Sequence, residues 1–368
     1  MKTTFSNTRL WILLNPGPVN VTPRVRRALL KPDLCHREQE FSSLLSGVQK
    51  KILKIFKISE THTLAVFSGS GTTALEAMLS SFPHKNKKIL VIINGVYGQR
   101  IKNILEIHGC PVETISSDIG TFPNLKTIES LLRKDRLIGS IAMVHHETST
   151  GMLNPIEAVG RLAKKYRKVF LVDAISSLGA EKIDFKRSAI DYCAGTSGKC
   201  LHGFPGVSFV ILSKKEALKL KDQKPKTLYL DLSNTLNHEE KGDTPFTPAV
   251  QIFYALNEAL DELINEGLKK RIQSYKTKSD LLEKGFLNLG LNFLVAKEHR
   301  SHVLTALWTP KNISYEKIHD ALKKKGFVIY AGQSKLQGKI FRVSNLGDVS
   351  LNDLTEFLIA LKKTLSLK

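Results

Sequence analysis

From about Thr61 to Leu212 the chain alternates short apolar, β-branched runs with amphipathic segments, and few folds accommodate that pattern. His62 to Phe67, Lys88 to Ile93, Ile141 to His145, Val169 to Asp173, Asp191 to Gly195 and Gly206 to Leu212 read as buried strands. Ser70 to Phe82, Gly98 to His108, Leu125 to Arg133 and Pro155 to Tyr166 read as helices between them. Strands that are apolar throughout and separated by helices predict an α/β fold, with a mainly parallel sheet covered on both faces. Ligands of such sheets bind beyond the carboxyl ends of the strands.

After Lys226 the pattern changes. A polar stretch, Asp231 to Thr244, precedes a long helical region from Pro248 to about Leu287, in which Ala255, Leu256, Ala259, Leu260 and Leu263 share one face. Strand candidates at His302 to Trp308, Phe327 to Tyr330 and Lys339 to Ser344 then alternate with helices at Tyr315 to Lys324 and Leu351 to Lys363. The expected organisation is an N-terminal segment over 1–20, a large domain over 21–260 and a smaller α+β domain over 261–368.

The formal net charge is +21. Its lysines and arginines are scattered among acids on solvated helix faces, with no aromatic interleaving and no nucleic-acid module, so neither nucleic acid nor membrane is the expected partner. The charge favours anionic small molecules. No apolar run approaches the roughly 20 residues of a membrane helix. The first residues lack the apolar run and cleavage site of a secretory leader, which predicts a cytoplasmic protein. The four cysteines show no metal-ligand or disulfide spacing, and reduced thiols fit the same compartment.

Three stretches carry candidate chemistry. Asp173 ends a hydrophobic strand and is followed by small residues: either a turn-capping acid or a carboxylate facing a cofactor's pyridinium nitrogen. Lys199, in Thr196-Ser-Gly-Lys-Cys200, lies among small residues between two buried strands. It is either an ordinary loop lysine or a desolvated, imine-forming amine. In Phe67-Ser-Gly-Ser-Gly-Thr-Thr, a strand runs through glycines and hydroxyls into a helix, so Ser70, Gly71 and Thr72 form either a simple cap or a phosphate seat. The loop has neither the spacing of a dinucleotide fingerprint nor the Gly-Lys of a Walker loop, which disfavours NAD and ATP.

Taken in order, these stretches resemble the class V, fold-type I aminotransferases that depend on pyridoxal 5′-phosphate (PLP), over nearly the whole chain. The resemblance implies a seven-stranded sheet, PLP on Lys199 with Asp173 at its ring nitrogen, and phosphate held by Ser70, Gly71 and Thr72. Asn15-Pro-Gly-Pro18 is similar to the family's substrate-side loop, which brings in Gly17 and Pro18. Asn94-Gly-Val-Tyr-Gly-Gln-Arg100 resembles the segment whose aromatic residue, here Tyr97, stacks on the ring. His146-Glu-Thr-Ser-Thr-Gly151 resembles the segment whose hydroxyl, here Thr148, approaches the phenolic oxygen. Thr247 is similar to a threonine that reaches a neighbouring subunit's phosphate, implying a homodimer with shared sites. Phe341-Arg-Val-Ser-Asn-Leu-Gly347 looks like the arginine loop, with Arg342 as the bidentate partner of the substrate's acid group.

Within the family, Ile141 to His145, Thr150 to Pro155, Leu228 to Leu232, Gly326 to Tyr330 and the arginine loop resemble the branch acting on 2-aminoethylphosphonate and pyruvate. Two features depart from that branch. Gly198 stands where it usually has Asn, and Cys35 to Phe41 looks more like the alanine/serine:glyoxylate branch, which is the alternative; for His36 and Arg37 the other reading is a helix start packed on the large domain. A cysteine desulfurase would need a cysteine in the C-terminal third, and all four lie at or before Cys200. A non-catalytic basic protein on this fold would be expected to lack Lys199 or Asp173, and both are present.

Overall fold

A computed structural model describes residues 11–82, 87–221 and 223–366. Residues 1–10 of the N-terminal segment, on which the absence of a leader was read, lie outside the described residues.

A seven-stranded sheet organises the larger part of the molecule. Its spatial order is His62–Gly69, Gly206–Ser213, Tyr192–Thr196, Val169–Asp173, Ile138–Val144, Lys88–Ile93 and Val112–Ser116. Gly206–Ser213 runs antiparallel to both neighbours, and every other pairing is parallel. Successive side chains of a strand point to opposite faces. Leu64 and Val66 therefore enter one core with Phe41, Leu45, Phe253 and Leu256, while Ala65 and Phe67 enter the other with Leu75, Met78 and Ile101. Burial on both faces is why these strands lack polar alternation.

Val112–Ser116 is absent from the strands read in the sequence. It is the edge strand, half exposed, with the mixed sequence Val-Glu-Thr-Ile-Ser, so it lacks the apolar run that marks the others. The long helical region is two helices, Val250–Glu266 and Leu268–Asn288, interrupted at Gly267 with φ +86°. The left-handed conformation ends the first helix at little steric cost because glycine has no Cβ. A further helix, Leu232–Glu239, forms within the polar stretch, and Asp231 caps it by accepting from Asn234 N at 2.6 Å.

The C-terminal part has its own core, in which Phe286, Leu307, Ile318, Phe341 and Phe357 are fully buried. Its three-stranded antiparallel sheet has Ile340–Ser344 between Leu304–Trp308 and Tyr330–Ala331. Ile12–Leu13 pairs in parallel with Phe327–Val328, and Leu14 joins this core. That pairing carries the next residues, Asn15 to Pro18, back over the main sheet. Among the described residues no helix is long and apolar enough to cross a membrane. All four cysteines are unpaired.

Candidate active site

Asp173 and Lys199 meet at the carboxyl ends of adjacent parallel strands. Asp173 pairs in register with Ala194, and Lys199 lies in the turn that follows the next strand's end at Thr196. The turn is tightly tied: Gly203 N donates to Ser197 O at 2.9 Å, His202 N to Lys199 O at 3.0 Å, and Ser197 Oγ to Val207 O at 2.8 Å. Burial pushes the Asp173 carboxyl up to about 6, against the pull of a hydrogen bond from Ile175 N and of the Arg100 and Lys199 charges. Burial likewise lowers the Lys199 amine to about 8, with the Arg342 and Arg100 charges acting in the same direction and the Cys200 and Asp173 charges opposing. Both shifts have desolvation as their largest cause.

The segment Asn15 to Pro18 lies over this lysine. Lys199 Nζ donates to Pro16 O. A Cβ placed on Gly17 would stand 2.5 Å from Nζ and 2.8 Å from Cε, and Gly17 has φ +118°. The positive φ favours glycine, and a side chain here would push the lysine's flexible end aside.

The helix Gly71–Ser81 begins directly after the strand His62–Gly69. Ser70 occupies its N-cap position, yet its side chain makes no capping bond, leaving the hydroxyl available beside the helix N-terminus. Gly71 packs against Ile175, where a Cβ would come within 2.8 Å, and so brings this helix start beside the Asp173 strand end. Tyr97 lies in the first turn of the helix Val96–Ile107. Fully buried Glu147 organises that turn, accepting from Tyr97 N at 3.1 Å, Gly98 N at 3.2 Å and the Ser149 hydroxyl. Despite these donors, burial raises its acid above the ordinary range. Arg100, one turn beyond Tyr97, holds its guanidinium 4.7 Å from the centre of the Tyr97 ring and donates from Nη1 to Thr72 Oγ1 at 3.2 Å.

Arg342 rises from the middle strand of the small sheet and is buried. Its Nε donates to Ala331 O at 2.8 Å and its Nη1 to Thr148 O at 2.9 Å, which couples it to the Thr148 segment across the two cores. Thr148 Oγ1 is buried without a partner among the described residues, as is Asn15 Oδ1. Both atoms belong to segments that close over the carboxyl end of the sheet. Between the start of the Val96–Ile107 helix and the 333–336 loop lies a cleft of about 390 Å³, with Arg100, Ser149 and Gln333 among its lining residues.

Residues 27–346 match the Aminotransferase class-V family. The chain belongs to that family. It is 35% identical over 359 residues to the 2-aminoethylphosphonate--pyruvate transaminase of Bacillus cereus, covering 96% of this chain and 97% of the relative. It is 36% identical over 371 residues to a bifunctional phosphonoacetaldehyde hydrolase/aminoethylphosphonate transaminase of Clostridioides difficile, covering 99% of this chain but only 58% of that longer relative. Among solved structures, an alanine--glyoxylate aminotransferase from Nostoc sp. superposes with a TM-score of 0.91 at 28% identity, covering 96% of this chain and 95% of that one. A pyridoxamine-pyruvate aminotransferase from Mesorhizobium loti superposes with a TM-score of 0.90 at 25% identity, covering 96% and 91%. The fold is that of the fold-type I aminotransferases.

The structure gathers Lys199, Asp173, Ser70, Gly71, Thr72, Tyr97, Thr148, Gly17 and Arg342 around the carboxyl end of the sheet. Pro18 is exposed at the rim. Thr247 is exposed on the strip before the helix Val250–Glu266, which is pinned by Ala249 N donating to Ser68 Oγ at 2.9 Å. Arg37 pairs with Asp243 and donates to Thr244 O at 2.8 Å, so the 35–37 segment braces the same strip; the helix behind it starts at Gln39. Gly198 has a packing reason: a Cβ there would stand 2.9 Å from Pro205 Cα. Asparagine at this position requires the 203–206 loop to move.

Arg100 and Glu147 are the functional candidates that sequence reasoning passed over. Both lie inside segments singled out for a neighbour, and nothing local marks them. Their roles arise from contacts at sequence separations of 28 and about 50 residues. For Gly17→Ala, we expect a folded protein whose turnover falls about 100-fold, because the new methyl displaces the Lys199 amine or the segment that covers it. Steady-state kinetics beside a thermal melt check this.

Proposed function

We propose that the chain is a PLP-dependent transaminase that exchanges an amino group between 2-aminoethylphosphonate and pyruvate, giving phosphonoacetaldehyde and L-alanine, or the reverse. The observation that carries the reading is Arg342: a buried guanidinium that donates from Nε to Ala331 O and from Nη1 to Thr148 O and Gln333 Oε1, with no salt-bridge partner among the described residues. A buried cation left without an anion is costly. An anionic substrate group supplies the missing partner through a charge-assisted hydrogen bond. The relatives' names point to phosphonate as that group.

The residues present fit PLP. Lys199 offers a partly buried amine of lowered basicity, Asp173 a buried carboxyl at the neighbouring strand end, and Tyr97 a ring at a helix start. Thr148 offers an unpartnered hydroxyl, and Ser70, Gly71 and Thr72 offer a helix N-terminus. When bound, PLP supplies an electron-withdrawing pyridinium that stabilises negative charge on the substrate carbon. Lys199 Nζ accepts and returns the proton at that carbon. Asp173, as the carboxylate, keeps a proton on the ring nitrogen. Glu147 holds Tyr97 in place, and the Asn15 to Pro18 segment keeps water from the amine.

The alternative donor set is alanine or serine with glyoxylate, favoured by the Nostoc structure. Amino-donor profiling separates the two. With PLP-loaded protein, the expected result is turnover of 2-aminoethylphosphonate with pyruvate well above that of L-alanine or L-serine with glyoxylate. The opposite preference would sink the phosphonate assignment while leaving the aminotransferase intact.

The site is proposed to be completed in a homodimer, with Thr247 reaching the other subunit's phosphate seat. Next to Thr247, Tyr229 stacks on Phe246 at 4.9 Å, and Leu228 is 81% exposed, an apolar surface suited to a second copy. A cytoplasmic setting fits the four unpaired cysteines.

A further inference from the structure

Arg100 belongs to none of the roles assigned above, yet it touches two of them. Its guanidinium covers one face of the Tyr97 ring at 4.7 Å, a distance at which the ring quadrupole attracts a cation. A cofactor ring stacked on Tyr97 must then take the opposite face. The same guanidinium donates to Thr72 Oγ1 at 3.2 Å, at the start of the helix Gly71–Ser81. That helix and the one bearing Tyr97 follow different strands of the sheet, with the strand Lys88–Ile93 between them in the chain. Arg100 is the side chain that fastens the helix start at Thr72 to the ring at Tyr97. A helix N-terminus alone offers a phosphate partial charges and backbone donors. A guanidinium hydrogen-bonded to one of the seat's own hydroxyls adds a full positive charge.

We propose that Arg100 is a cofactor-positioning residue, bracing the Tyr97 ring from behind while bringing a positive charge to the phosphate seat at Thr72. The inference rests on the PLP reading. It predicts two separable losses when Arg100 is changed: one in ring stacking, felt by any pyridoxal, and a larger one felt only when the ligand carries phosphate.

The test compares PLP with pyridoxal, which lacks the phosphate, as ligands of cofactor-free wild type, Arg100→Gln and Arg100→Lys, followed by absorbance and by quenching of intrinsic fluorescence. Circular dichroism confirms that each variant is folded. Arg100→Gln should bind PLP at least about tenfold more weakly than wild type, with a smaller loss for pyridoxal. Arg100→Lys should regain most of the phosphate-dependent part, because the charge is restored, but not the stacking part, because the planar group is gone. Wild-type PLP affinity in folded Arg100→Gln, or equal losses for the two ligands, overturns the inference and leaves the PLP reading standing. Wild-type protein that binds neither ligand overturns the PLP reading itself, and the inference with it.

Discussion

Lys199→Ala should reduce turnover at least about 10³-fold, because the substitution removes the amine proposed both to hold the cofactor and to move the proton. The loss should be accompanied by disappearance of the visible absorbance of lysine-bound cofactor, while the melting temperature stays near that of wild type. Lys199→Arg should fail as completely, since a guanidinium keeps the charge but is never deprotonated at working pH. The pH dependence has a definite direction. Burial holds the amine at about 8, below the ordinary lysine value, so its nucleophilic form grows in as pH rises through 8 rather than through the range of a surface lysine. Capture of PLP by the cofactor-free protein, timed in stopped flow, should therefore accelerate from pH 6 to 9 with a midpoint near 8. Turnover at the wild-type rate in Lys199→Ala would remove the lysine from the mechanism.

Asp173→Asn should lower turnover by about 10²–10³-fold, the scale seen when one preorganised electrostatic contact is removed. The amide is the same size as the carboxyl, so the core around it stays filled. It cannot carry the negative charge proposed to keep the ring nitrogen protonated. Stability should move the other way. The folded-state value of about 6 lies above the unfolded value of 3.8, so the folded cofactor-free protein binds this proton more tightly than the unfolded chain does. The stabilisation that goes with it is fully present below pH 4 and lost as pH rises through 6. Cofactor-free Asp173→Asn, which never ionises there, should melt above wild type at pH 8, and the gap should close as pH falls toward 4. A variant that loses activity and stability together at pH 8 would instead mean that Asp173 serves as an ordinary structural acid.

How much of this was legible in the chain differs from element to element. The strand ending at Asp173 announced itself because it is buried on both faces, which leaves no polar residue to blur its apolar run. Val112–Ser116 went unread because an edge strand has only one neighbour and keeps Glu113 and Thr114 at its surface. The break at Gly267 was hidden inside a continuous helical pattern, because one glycine is compatible with either a helix or its end. Lys199 stood out by its small, uncharged surroundings between two buried strands. Arg342 emerged only by resemblance, since one arginine in an apolar strand says nothing of what it faces.

The sequence by itself determined the layered α/β architecture and the residue types available at each strand end. Continuous apolar runs, buried on both faces, and the small residues around Lys199 are local properties of the chain, written within a few residues of where they act. Tertiary structure alone decided which of those residues share a site. It paired Ile12–Leu13 with Phe327–Val328 and so laid Gly17 on Lys199; it set Arg342 against Thr148, 194 positions away; and it placed Arg100 behind Tyr97 and against Thr72. Such contacts depend on how separate elements pack, and packing is fixed by the shape of the whole core, which no local stretch encodes.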